Sequence, residues 1–497
     1  MGRFGIGFNA QGQWTMYPGV VVTVDPSQLD IANQGPTGVV ALIGSATGFF
    51  PPQEYSLFPQ GAATPNQYLA PGSDLLVTVS FAQRPFAQLG FGPSQIYIVP
   101  CNPALAATLS LAGTPTTPTL DLTTLGWGAI FNQLTATTKA GTGTNQQVLI
   151  LSLPTNNGLS SITETYNYLS TDPLSALVDQ INNRSAIVKA VLTGTDAPVT
   201  LTAASDTPFT GGSDGTTTTN DWITAIGALS TLRVNAIHVA SGDTAVWDAL
   251  SAYCDTHRAR GFIGSATTRN WNGIANRQAA MDALVQEAAS VNDPRIMHCG
   301  LGMDGYPGKY ASARYASLAG CLEPSVPMTF KFLDVDSLET RLSKDECGGE
   351  TGLLLNGVSP PMPDAANAFT YRVSRGLSTW TGDSNLYRCE QSVLAACDAL
   401  SQQLDDALQA YIGGEGNQGT LGRIAAAVKR ILDLAILPTS AVRILSYDPN
   451  ITVAFTSDTV VRVTARITPI APINWIVCNL ILLRTDIEIS TSVNLAA

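Results

Sequence analysis

Residues 221–264 read as helix, strand, helix, strand, and that rhythm constrains the fold more than any other feature of the chain. Asn220 or Asp221 is placed to cap a helix carrying Trp222, Ile223, Ile226 and Leu229. The apolar run Val234–Ala240 follows as a strand. A helix with Val246, Trp247, Leu250 and Tyr253 leads into Gly261-Phe262-Ile263-Gly264. A strand that reaches a parallel neighbour through a helix is a βαβ unit, and a parallel sheet needs helices over both faces. The sequence therefore predicts a mixed α/β core with a mainly parallel sheet flanked by helices.

The run Gly38-Val39-Val40-Ala41-Leu42-Ile43-Gly44, bounded by glycines, supplies a further buried strand, and the apolar runs 75–81 and 95–99 extend the same first-layer segment. From about 101 to 220 the composition turns to threonine, glycine and asparagine with almost no Lys or Arg. Val148–Leu153 and Val199–Ala203 read as strands there. One helix opens with Asp172 as N-cap and Pro173 at N1, on a stripe of Leu174, Leu177, Val178 and Ile181. This predicts an inserted β-rich outer domain at 101–220 between core segments 29–100 and 221–484. The last third carries an amphipathic helix of about 25 residues along Val393, Cys397, Leu400, Leu404, Leu408 and Ile412, stopped by Gly413-Gly414. A second helix runs along Leu421, Ile424, Val428 and Ile431 and ends before Pro438. The run Val461–Thr468 alternates cleanly, with Val461, Val463 and Ile467 on one face of an expected strand.

Strand-like runs also lie close to both ends. Val20, Val22 and Val24 share a face in 18–26, and Ile487 and Ile489 share one in 485–493. Ends fray unless something ties them down. Two strand-competent ends therefore predict extended, strand-forming arms, 1–28 and 485–497, that add to sheet edges elsewhere. That favours assembly over catalysis.

Charged residues are 13% of the chain and hydrophobic residues 45%. So few charges suit a protein that buries extra surface against copies of itself. The net charge of −12, with no basic tail or stripe, argues against nucleic-acid binding. Met1-Gly2-Arg3-Phe4 does not open a secretory signal. The longest apolar stretch, Ile473–Leu483, is broken by Asn474 and Asn479 and is too short to span a bilayer. The expected protein is made in a cytoplasm without inserting into a membrane. Its eight cysteines include no CxxC pair, and most read as small core residues. Cys347, in the polar turn Lys344–Gly349, is expected to be exposed and is the candidate for an intersubunit disulfide.

Little chemistry emerges. His238, His257 and His298 stand apart from metal-ligand partners, and His238, inside a strand, reads as a core residue. Gly302–Tyr310 invites a phosphate-loop reading but has Met303 for the first glycine and Tyr310 for the Ser/Thr, so it reads as a tight loop. Gly211–Gly215 reads as a domain-joining turn, Asp334-Val335-Asp336 as a solvated helix start, and Asp405 and Asp406 as the polar side of the long helix. No catalytic, cofactor or metal site is expected. Arg423, Lys429 and Arg430 form one basic cluster on the second helix. It reads either as a solvated face or as a contact for an acidic partner.

In this order the motifs resemble the tail sheath family of contractile bacteriophage tails and related injection machines. The resemblance is carried by Pro18-Gly19-Val20-Val21-Val22, by Gly38–Gly44, by Gly211–Gly215 with the following helix and strand, and by Tyr371–Thr379 leading into the long helix. Val21 stands where the family commonly has an aromatic residue. The resemblance implies stacked hexameric rings around a tail tube, with baseplate and tail terminator proteins as further partners, in a virion tail assembled in the host cytoplasm. It implies arms woven into neighbouring subunits, the strand Val461–Ile467 as acceptor, Arg423, Lys429 and Arg430 against the tube, and no cofactor. Two other classes remain open: an unrecognised α/β enzyme, and a different virion protein such as an adhesin or fibre.

Overall fold

The computed structural model describes residues 38–59, 65–85, 92–114, 118–154, 161–364, 370–457 and 460–472, with the backbone of 7–8, 14–15, 477–482 and 489–494. Val20, Val22, Val24 and Ile487 lie outside the described residues. Among the described residues no helix is long and apolar enough to cross a membrane.

The core is a six-stranded sheet in the order 296–298, 260–263, 236–239, 39–44, 95–100, 56–57. Its first five strands are parallel, and Ser56–Leu57 closes one edge antiparallel. Alternation along Val39–Gly44 sets the layers. Val40 and Leu42 face the helices Asp74–Gln83 and Gly308–Cys321, packing with Leu75, Val79, Tyr315 and Leu318. Val39, Ala41 and Ile43 face Thr219–Gly227 and Thr244–His257, packing with Ile226, Val246, Trp247 and Leu250. The apolar run 75–81 is thus a helix packed on the sheet. Thr218, rather than Asn220 or Asp221, caps the next helix, and Asp221 closes the capping box by accepting from Thr218 N at 2.7 Å.

Residues 106–208 build two four-stranded sheets over a hydrophobic cluster of their own. The helix Leu174–Arg184 starts one residue later than the sequence suggested, and Asp196 accepts from Ser175 N at 3.1 Å. The Asn182 side chain imitates a strand partner, donating to Ala190 O at 2.9 Å and accepting from Ala190 N at 2.8 Å. That blunts the open edge of Val188–Thr193. Asp214 ties the insertion to the core by accepting from Ala129 N (2.7 Å) and Thr47 Oγ1 (3.0 Å).

The long helix spans Gln391–Gln409, and the second spans Gln418–Ile436, capped by Asn417, which accepts from Thr420 N at 2.9 Å. The long helix ends before Ile412, which is 81% exposed. Leu400, Val428, Ile431, Leu432 and Ile444 form one cluster, with Leu404, Leu408, Val463 and Ile467 packed against it. The expected strand Val461–Thr468 is two strands. Val460–Thr464 pairs with Thr452–Ser457, and Ile467–Pro469 pairs with Ile444–Tyr447. The chain changes partner at Ala465-Arg466, which ends the first ladder although side-chain alternation continues through it. Ile489 opens the strand Ile489–Asn494, which pairs antiparallel with Val477–Leu482 of the same chain.

Candidate assembly surface

The C-terminal helices are fixed to the core by a ladder of ion pairs on one face of the long helix. Asp398 and Asp405 are seven residues apart, two turns of helix, so both face the core. Arg295, at the start of strand Ile296–His298, holds Asp398 in a fork of 2.5 and 3.1 Å, both side chains only 10% exposed, while its Nε reaches Asp255 at 3.0 Å. Burial pushes the Asp398 carboxyl up, and the Arg295 guanidinium pulls it part of the way back. Arg258 pairs with Asp405, and Arg233 holds Asp406 at 2.5 and 2.7 Å. Asp405 and Asp406, read from sequence as a solvated helix side, therefore dock the helix on the core. Their spacing with Asp398 was visible in the sequence, but the partners come from three distant strands and turns.

Glu390, just ahead of the long helix, was not singled out from the sequence. Its side chain is fully buried beside Arg375 (Nε 3.5 Å), and neither carboxylate oxygen has a hydrogen-bond partner. Burial pushes the carboxyl up to about 7, against the pull of Arg375. A carboxyl whose pKa is raised by folding contributes stability below its unfolded value and loses it as pH rises through the folded value. Between about pH 4.5 and 7 the wild type is therefore expected to lose up to about 3 kcal/mol from this group. Glu390→Gln should remove that slope, and denaturation at pH 5 and 8 checks it: equal pH dependence in both proteins would show that Glu390 is not proton-linked to folding.

The outer face of the second helix presents Arg423, Lys429 and Arg430, all exposed. Arg423 Nη2 reaches back to Thr420 Oγ1 at 3.3 Å. The same helix ends in Leu434, Ile436 and Leu437, each more than 40% exposed, so the basic face continues into an apolar one. Between the helices and the hairpin 452–464 lies an open groove of about 790 Å³, lined by Leu408, Tyr411, Ile412, Phe455, Val461 and Val463. The structure thus places Val461 and Val463 on this groove, with Ile467 in the adjoining cluster.

Cys347 is not exposed. Ser343 caps the short helix Lys344–Gly348, Glu346 closes the capping box, and Arg277 grips Glu346 at 2.7 and 2.8 Å. The Arg277 hydrogen bonds hold the Glu346 carboxyl down to about 2. With the polar side pinned outward, Cys347 turns inward and is 3% exposed, which withdraws it as a surface cross-linker.

In open α/β sheets, ligands bind beyond the carboxyl ends of the strands. Here side-chain networks around Asp74 and Glu287 occupy part of that space, beside an open pocket of about 450 Å³ lined by Thr47, Pro71, Ile130 and Asp214. Asp74 accepts from Ser45 Oγ at 2.7 Å and Tyr310 Oη at 2.5 Å, with Lys309 Nζ 3.9 Å away. Glu287 takes Ser265 Oγ, Arg269 Nη2 at 2.5 Å and His298 Nε2 at 3.2 Å. The His298 Nδ1 accepts from Gly300 N at 3.1 Å, so its Nε2 carries the proton toward Glu287. A Cβ on Gly264 would stand 2.3 Å from Gly308 O, so the helix Gly308–Cys321 begins directly on the strand ends. Gly302–Gly308 is a tight loop, with Met303 and Tyr306 exchanging backbone hydrogen bonds and Asp304 and Gly305 at positive φ. His238 is fully buried, its Nδ1 2.9 Å from Ser312 Oγ and its pKa pushed down to about 3 by burial. Among the described residues no group of His, Cys, Asp or Glu could hold a metal ion.

Neither a protein-family model nor a curated protein sequence matches the chain. Solved structures do. The sheath tail protein of Listeria innocua matches with a TM-score of 0.63 at 15% identity, covering 94% of this chain and 98% of that one. The sheath tail protein of Desulfitobacterium hafniense matches with a TM-score of 0.59 at 14% identity, covering 91% and 100%. The chain has the mixed α/β fold of sheath tail proteins.

Proposed function

We propose that the chain is a structural, non-catalytic subunit of a contractile tail sheath. The observation that carries this reading is the fold it shares with sheath tail proteins along nearly the whole of both chains. The exposed, mixed basic and apolar C-terminal face agrees with a protein built to touch other proteins. In this reading, subunits form stacked hexameric rings around a tail tube, between a baseplate and a terminator, in a virion tail assembled in the host cytoplasm. Arms 1–28 and 485–497 pair with neighbouring subunits, main-chain hydrogen bonds linking copies while the core segments 29–100 and 221–484 repack during contraction. The insertion 101–220 forms the outer domain, and its blunted strand edge leaves pairing to the C-terminal strands. Sedimentation of the purified protein over a concentration series tests the reading: polymer pelleting above a threshold concentration is expected, and a constant single-chain mass rejects it.

Arg423, Lys429 and Arg430 grip the tube in the extended state. Reversing all three to glutamate should abolish co-sedimentation with tubes, a loss of at least tenfold, while sheath self-assembly persists. Normal tube binding by that variant would remove the cluster from the interface.

A further inference from the structure

The strands 452–468 have two faces. Val461, Val463, Ala465 and Ile467 turn toward the helices and are half-buried. Arg462, Thr464, Arg466 and Thr468 turn the other way and are exposed, with Thr452 and Ala454 opposite Thr464 and Arg462 on the paired strand. Arg462 and Arg466 lie on one side of extended backbone, about 13 Å apart by strand rise. Neither guanidinium has a hydrogen-bond or ion-pair partner among the described residues.

Many arginines earlier in the chain do hold a carboxylate among the described residues. Its first 416 residues carry 33 acidic and 19 basic residues, and its last 81 carry five and seven. Acceptors therefore outnumber cations over the core and insertion, and Arg233, Arg258, Arg269, Arg277, Arg295 and Arg314 each hold a carboxylate. The guanidinium is a rigid fork of donors that suits carboxylates. The acidic excess thus belongs to the core and insertion, and the C-terminal segment lacks it.

We propose that this sheet face docks on the acidic surface of a second copy of the chain, Arg462 and Arg466 each taking a carboxylate across the interface. The inference rests on the self-assembly reading. It concerns the face of the sheet, leaving the strand edges to the arms and the outer face of the second helix to the tube. Such contacts set register and association rate more than total affinity, and they weaken with salt.

The test measures the threshold concentration for polymerisation by light scattering between 0.05 and 1 M salt, a range over which screening shortens from about 14 Å to about 3 Å. Arg462→Glu/Arg466→Glu should keep the wild-type melting transition and fail to polymerise at tenfold the wild-type threshold. Arg462→Gln/Arg466→Gln should raise the threshold and flatten its salt dependence. If the glutamate variant misfolds, the glutamine variant decides. A glutamine variant with the wild-type threshold and salt dependence overturns the proposal while leaving self-assembly intact. A wild type that does not polymerise removes both.

Discussion

Asp398→Ala is expected to destabilise the protein by about 3–5 kcal/mol, because it leaves the Arg295 guanidinium buried against the core without its fork partner. The penalty comes from leaving the buried guanidinium with only the exposed Asp255 as partner, so replacing Arg295 and Asp398 with apolar residues of similar size should recover most of it. Asp405→Ala removes an exposed pair and should cost under about 1 kcal/mol. Chemical denaturation of the three variants checks this ordering. Equal effects at 398 and 405 would mean that burial does not govern the ladder. Since Asp398 anchors the long helix, its loss should also impair any assembly that needs the C-terminal helices held in place.

Deleting residues 485–497 is expected to abolish polymerisation while the core stays folded. The strand Ile489–Asn494 pairs only with Val477–Leu482 among the described residues. Among the described residues, the hydrophobic clusters of the core and of the C-terminal helices draw on residues up to Ile467. The truncated protein should therefore keep its melting transition and run as a small, concentration-independent species in sedimentation. Polymers from a truncated protein would show that this segment is not an assembling arm.

What the sequence revealed follows from how far apart the deciding residues lie. The βαβ rhythm, both C-terminal helices and the insertion strand Gln146–Leu153 rest on local periodicity and formed where the pattern lies, though the long helix stops before Ile412 and of Val199–Ala203 only Thr200–Leu201 is strand. The apolar run 75–81 did not declare its type, because a short buried helix and a short buried strand share the same composition. Val461–Thr468 alternates throughout, yet its two halves have different partners, and no local pattern encodes that change. Cys347 looked exposed because its neighbours are polar. The Arg277–Glu346 pair, 69 residues apart, turned it inward. The surface residues were partly legible: Arg423, Lys429 and Arg430 stand out as a charge cluster on a helical face. Glu390 carried no signal, since a buried carboxylate differs from a solvated one only through its tertiary surroundings.

The central claim, that this chain assembles as a sheath, is tested most directly by negative-stain electron microscopy of the purified full-length protein. Hollow tubes or stacked six-fold rings are the expected result. A uniform field of single-chain particles across the whole soluble concentration range would contradict it.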